Sequence, residues 1–320
     1  MAGAGPFLIA PVASGLGIRI TGTEARENIL SPDVQAASVT AFLDRFPDVD
    51  IVFPVMDTSV EARALNCPFE FKGRVPVISG HPFEDPDALN GLSAPDPQAC
   101  ETMADNVRVV ARIARDTGRP VGAFVVGPVT LAAHLLGATC LVRLAARDTS
   151  AFGGVLGNCL RFIRPYALAL AAAGASHIAI LEPQLIFFSP AVYERSVRSR
   201  IEDLACGLPS PILHVCGDTR RHLAAFALTA HVQVLSLDAA VDFSAALDAT
   251  PGLSGKTLMG NISPVEVLHR GTPGLVRETV ESLVKSMRGR HFILSSGCDM
   301  VPDTPLENME AFMQTALSLR

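Results

Sequence analysis

Residues 211–220 read "PILHVCGDTR". The first seven are apolar but for His214, and Gly217-Asp218 closes them with a turn. A run that is apolar at consecutive positions suits a strand covered on both faces, and parallel sheets flanked by helices supply that cover. His214 and Cys216 stand two residues apart, so in a strand both side chains leave one face and enter one cavity.

Runs of the same kind recur along the chain: "FLIAPVA" (7–13), "VDIVFPV" (49–55), "VGAFVVG" (121–127), "HIAILEP" (177–183), "VQVLSLD" (232–238), "TLMGNI" (257–262) and "HFILSSG" (291–297). Longer helical patterns separate them, several with marked starts. Ser263-Pro264-Val265-Glu266 and Thr304-Pro305-Leu306-Glu307 each set a hydroxyl at N-cap, proline at N1 and glutamate at N3. Ser31-Pro32 and Ser189-Pro190 repeat the proline part of that signal. Eight strands, seven helical connections and a closing helix over 305–319 count to an α/β chain folded as a (β/α)8 TIM barrel, one domain over 1–320. An open doubly wound sheet is the alternative, but no glycine-rich dinucleotide turn follows the first run. The Pro- and Asp-rich segment "SGHPFEDPDALNGLSAPDPQ" (79–98) is expected to be a long loop, not a domain boundary.

Composition narrows the function. The formal net charge is −6 and no basic run is present, which argues against a nucleic-acid surface. Seven cysteines, an odd number without a framework, suit a reducing compartment, so a cytoplasmic protein is expected. The opening "MAGAGPFLIAPVASG" has no positive n-region, and Pro6 and Pro11 interrupt it; it reads as a first strand, not a signal peptide. The stretch "FVVGPVTLAAHLLGATCLV" (124–142) has the length of a membrane span. Gly127-Pro128 splits it and His134 sits inside it, so a strand feeding a helix is expected, and no membrane.

Barrel enzymes place their chemistry at the C-terminal ends of the strands. That rule selects Asp57, Glu182, His214, Cys216, Asp238, Asn261 and Cys298. One imidazole and two thiolates, from His214, Cys216 and Cys298, make a zinc set with the open fourth position that catalytic sites keep. Read from the residues alone, two rivals stand beside it. A cysteine is commonly a small buried hydrophobe, the reading given to Cys67, Cys100, Cys140, Cys159 and Cys206. A Cys216–Cys298 disulfide is the other, disfavoured in a reducing compartment. Thiolate-rich ligation favours activation of a substrate thiol over activation of water.

Three stretches carry a family resemblance: "HVCGDT" after the fifth strand, "LMGNISPVEVLHRGTP" at the seventh and "SSGCDMVPDTPLENMEAF" at the eighth. Together with "FPVMDTSVEARALNC" (53–67) and "GPVTLAAHLLG" (127–137), they resemble the uroporphyrinogen decarboxylase superfamily. Within it they are similar to the zinc-dependent methylcobalamin:coenzyme M methyltransferase branch. The resemblance runs from about residue 50 to the end. It implies a TIM barrel, and zinc on His214, Cys216 and Cys298. It also implies methyl transfer from a methylated corrinoid, carried on a separate small protein or free as methylcobalamin, to a zinc-activated thiol such as coenzyme M. Homocysteine or a folate is the alternative acceptor, and a non-catalytic corrinoid- or tetrapyrrole-binding protein the alternative class. The Arg-rich "RQAGR" motif of the decarboxylases is absent; the nearest basic residue there is Arg19 in "GLGIRITG", so porphyrinogen decarboxylation is not expected.

The remaining strand-end residues carry weaker expectations. Asp57 and Glu182 are the candidate catalytic carboxylates, Asp57 near the reacting centre and Glu182 as a displaceable fourth zinc ligand or a structural acceptor. Glu61, four residues after Asp57, is ranked below it, since it can simply favour a helix start. Asn261 is the candidate for orienting a cofactor or substrate.

Overall fold

The computed structural model describes residues 7–320. Nine strands follow in chain order: β1 (Leu8–Ile9), β2 (Phe69–Lys72), β3 (Val75–Ile78), β4 (Val121–Val126), β5 (Ala175–Leu181), β6 (Pro211–Val215), β7 (Val234–Leu237), β8 (Thr257–Ile262) and β9 (Phe292–Ser296). Seven form one parallel sheet in the order β1-β9-β8-β7-β6-β5-β4, so that apart from β1 each strand lies beside its neighbour in sequence. Helices fill the connections, as parallel pairing demands.

Segment 49–53 stands between the two edge strands. Asp50 N donates to Ile9 O (2.8 Å), Val52 N to Pro120 O (3.0 Å) and Gly122 N to Val52 O (2.8 Å). Only one ladder pair, Val52 with Val121, results. The sheet's inner face gathers a core of its own. Ala10, Val12, Ile51, Phe53, Phe124, Ala179, Leu181, Ile212, Val234, Met259 and Ile293 form a buried cluster apart from the larger one under the helices. Phe53 and Phe124 stack at 5.2 Å within it, and each fully buried ring contributes ~1.5–3 kcal/mol.

Several expectations are trimmed. The first run shrinks to Leu8–Ile9, and 49–55 yields only its bridge. The antiparallel hairpin β2–β3, joined at Gly73-Arg74, was not expected. Segment 79–98 is a loop with one 3-10 turn at Pro86–Gly91. Ser31, Ser189 and Ser263 accept from Val34 N, Val192 N and Glu266 N as caps should. Thr304 does not: the closing helix begins at Leu306, and the Thr304 hydroxyl is buried without a partner.

The apolar stretch at 124–142 divides into the end of β4 and the helix Pro128–Leu136, as expected. No single described helix is long and apolar enough to cross a membrane; Pro128–Leu136 and Ala138–Arg147 together reach that length but bend by 112°. The first six residues, including Pro6 and the start of the apolar opening, lie outside those described.

Candidate metal centre

His214 is the fourth residue of the fully buried strand β6, and Cys216 follows its end. Gly217 then turns the chain at φ +83°, a conformation other residues rarely adopt. Cys298 follows β9 behind Gly297, where an added Cβ would lie 2.9 Å from Ala239 N. The absence of a side chain there lets the β9 loop press against the loop after β7.

These elements bring three donor atoms together. His214 Nε2 lies 3.0 Å from Cys216 Sγ, the two sulfurs are 3.1 Å apart, and Cys298 Sγ is 3.6 Å from His214 Nε2. An S–S bond measures about 2.05 Å, so the thiols are free, as are all seven cysteines. Zinc bonds of about 2.0–2.3 Å in tetrahedral array hold ligand atoms roughly 3.3–3.8 Å apart. The triangle is close to that size, its donors are the nitrogen and sulfurs zinc prefers, and they fit. Among the described residues this is the one group of three such side chains able to hold a metal ion.

The imidazole is aimed from the neighbouring strand. His214 pairs in register with Ser236 of β7, and Ser236 Oγ lies 2.9 Å from His214 Nδ1. A hydrogen bond there fixes the ring and leaves Nε2 for a metal, the usual outer support of a ligating histidine. The thiols act on each other. A Cys298 thiolate accepts from Cys216 and from His214, which outweighs burial and pulls its pKa down to about 4. The bond to Cys298, with burial, pushes Cys216 up.

The other strand-end residues are engaged elsewhere. Glu182 is fully buried; Oε1 accepts from Val129 N (2.9 Å), and Oε2 from Thr130 N (2.9 Å) and Thr130 Oγ1 (2.8 Å). It caps the helix Pro128–Leu136, where a carboxylate meets the positive end of the dipole. An added Cβ at Gly127 would lie 2.2 Å from its carboxyl. Burial raises Glu182 to about 7 against those bonds. Asp57 accepts from Ser59 N (2.7 Å), Ser59 Oγ (2.6 Å) and Arg63 (3.2 Å), and burial raises its pKa too. It borders a small cavity with Asn106 and Tyr166, on the helix side of the sheet, while Met56 beside it borders a hollow next to His214. Glu61, also buried, accepts from Val126 N (2.8 Å), and burial pushes it up to about 8. Asn261 Nδ2 donates to Asp238 O (3.0 Å) and Val241 O (2.5 Å), holding the loop that Gly297 touches.

Two neighbours of the triangle were overlooked in the sequence. Ser236 left a signal: one hydroxyl in the apolar run "VQVLSLD", two residues before the strand-end Asp238. Asp299 follows Cys298 directly; burial, then the charge of Cys298, raises its pKa well above the ordinary value.

Known proteins resemble this chain along most of its length. The family model described as uroporphyrinogen decarboxylase (URO-D) covers residues 14–319. The methylcobamide:CoM methyltransferase MtaA of Methanosarcina barkeri is 27% identical over 264 residues, 80% of this chain and 76% of that protein. The uroporphyrinogen decarboxylase of Parasynechococcus marenigrum is 27% identical over 309 residues, 92% of this chain and 85% of that one. Among solved structures, a methyltransferase from Methanosarcina mazei superposes with a TM-score of 0.88 at 21% identity, covering 98% of this chain and 94% of that chain.

Proposed function

This chain belongs to the uroporphyrinogen decarboxylase family, and we propose that within it the protein is a zinc-dependent methyltransferase, moving a methyl group from a methylated corrinoid to a thiol. The observation that carries the reading is the His214–Cys216–Cys298 triangle, with three soft donors within 3.6 Å of one another. The relatives named as methylcobamide:CoM methyltransferases support it. The barrel that frames the site closes, in this reading, through segment 50–52 between β1 and β4, as one domain.

His214, Cys216 and Cys298 would hold the zinc. When bound, zinc supplies the Lewis acidity that lets a thiol in the open position lose its proton at neutral pH. Transfer would form an S–C bond at the acceptor sulfur and break the donor substrate's Co–C bond, with both electrons left on cobalt and the thiol proton going to solvent. Ser236 keeps the imidazole turned, and Asn261 holds the loop behind Cys298 in place. Glu182 and Asp57 serve the frame, because their oxygens are spent on backbone N–H groups, hydroxyls and Arg63. Coenzyme M is the first acceptor to try, homocysteine or a folate the next, and a corrinoid protein the natural donor.

The relatives that are uroporphyrinogen decarboxylases favour a second reading. That substrate's carboxylates need cations, and Arg19 donates to the carbonyls of Asp303 and Thr304 at the surface. Methyl transfer from free methylcobalamin to a panel of thiols, with metal analysis, decides between them. About one zinc per chain with thioether and Co(I) formed is expected; a zinc-replete protein that alkylates no thiol and decarboxylates uroporphyrinogen would overturn the proposal.

A further inference from the structure

The sheet's inner core does not close completely around His214. A hollow with room for about one water-sized group lies beside His214. Met56, Phe124, Ala179 and Met259 supply its walls, and the two polar residues at its edge, His214 and Ser236, are turned to each other at 2.9 Å. The other imidazole nitrogen faces Cys216 at 3.0 Å. A water in the hollow would therefore lack the two to four partners that hold buried water, and apolar cavities of this kind stay dry. Half-buried Met56, long and flexible, stands at its rim.

We propose that this hollow is a subsite for the first carbons of the acceptor, selecting a primary, unbranched alkyl thiol and leaving any charged tail to point out of the barrel mouth. The inference rests on the thiol-acceptor reading and deepens it. A sulfur held at the triangle's open vertex brings its own carbon next to His214. A hollow of about one water's size takes one methylene, whereas a carbon bearing three methyl groups exceeds it. No cation lines the hollow, so a sulfonate or carboxylate gains nothing by entering.

The test uses the Co(II)-substituted full chain, whose visible absorption changes when a thiol joins the metal. Ethanethiol, 2-propanethiol and 2-methyl-2-propanethiol are titrated against the parent, Ala179→Val and Met259→Ala. Ethanethiol should bind at least ~10-fold tighter than the tertiary thiol. Ala179→Val, which fills the hollow, should weaken ethanethiol by about 4-fold or more, the worth of one buried methylene. Met259→Ala, which enlarges it, should close the gap between ethanethiol and the tertiary thiol, and it reads the effect alone if Ala179→Val fails to load metal. Equal affinities for the three thiols, unmoved by either variant, would mean a packing void only and overturn the inference while the thiol reading stands. A spectrum that no thiol perturbs would overturn both.

Discussion

Two clusters of polar side chains stand near the C-terminal strand ends of the parallel sheet and differ in what satisfies them. Around the helix start at Pro128, Glu61 and Glu182 accept from Val126 N, Val129 N, Thr130 N and the Thr130 hydroxyl. At the ends of β6 and β9, His214, Cys216 and Cys298 are placed against one another, with Ser236 behind the imidazole. A carboxylate that closes backbone N–H groups is part of the frame; removing it leaves orphan donors in the core. Three donors turned toward one another form a set that could hold a metal ion. Residue type alone does not separate the groups, but the identity of the partners does.

The sharpest way to break this contrast is at the donor set. Ala at His214, Cys216 or Cys298 should each take bound zinc from about one per chain to near zero in metal analysis, with the fold retained by circular dichroism. X-ray absorption at the zinc edge should count two sulfurs in the free protein and three with a bound thiol; an unchanged count despite binding would leave zinc a structural role. The next largest effect belongs to the frame. Glu182→Ala should lower stability by about 3 kcal/mol or more in urea unfolding, since it strands two N–H donors and a hydroxyl, while zinc content stays near one. If Glu182→Ala instead strips the metal without unfolding the chain, Glu182 is a ligand in solution and the contrast fails.

Ser236→Ala tests the bridge between the groups' logic, a frame contact that serves the donor set. Metal affinity should fall about 10- to 100-fold, the usual cost of losing a ligating histidine's outer partner. A further test concerns pH. Glu61 is raised to about 8 in the folded chain from an ordinary value near 4.5. The folded state therefore binds the proton more tightly. The contribution to stability is fully present below pH ~4.5 and is lost as pH rises toward 8, because the unfolded state releases the proton first. Glu61→Gln should raise the melting temperature more at pH 8.5 than at pH 5. Equal shifts at both would show Glu61 ionised within the fold.

Much of this was legible in residue patterns, for physical reasons that also explain the gaps. Strands buried on both faces are written as continuous apolar runs, and β8 appears over 257–262 as read. The convergence of His214, Cys216 and Cys298 was legible because H-x-C in a strand commits both side chains to one face, and Cys298 sits in a polar turn where a hydrophobe has no task. The run 49–55 was read too generously: apolar character fixes burial, while pairing depends on neighbours, and here one ladder pair forms. The hairpin stayed hidden because Pro76 cannot donate to a ladder and short edge strands carry little pattern; its pairing survives with Pro76 opposite Phe71 at the edge. Asp57 meets Ser59, two residues on. The partners of Glu182, by contrast, were not legible: a structural acceptor was one of its two readings, but which N–H groups it meets is set by the approach of a segment more than 50 residues away, as with Val129.

That approach makes positions 127 and 182 a coupled pair. Glycine at 127 is a vacancy reserved for someone else's carboxylate: a methyl group there would lie 2.2 Å from the Glu182 carboxyl. Gly127→Ala alone should therefore expel Glu182 from its cap, and shortening residue 182 alone should uncap the helix. Made together, the two changes should cost less than the sum of their separate penalties, since the space one change fills is the space the other vacates. In the descent of such chains the two positions would be inherited as one character, the glycine persisting for as long as the glutamate does.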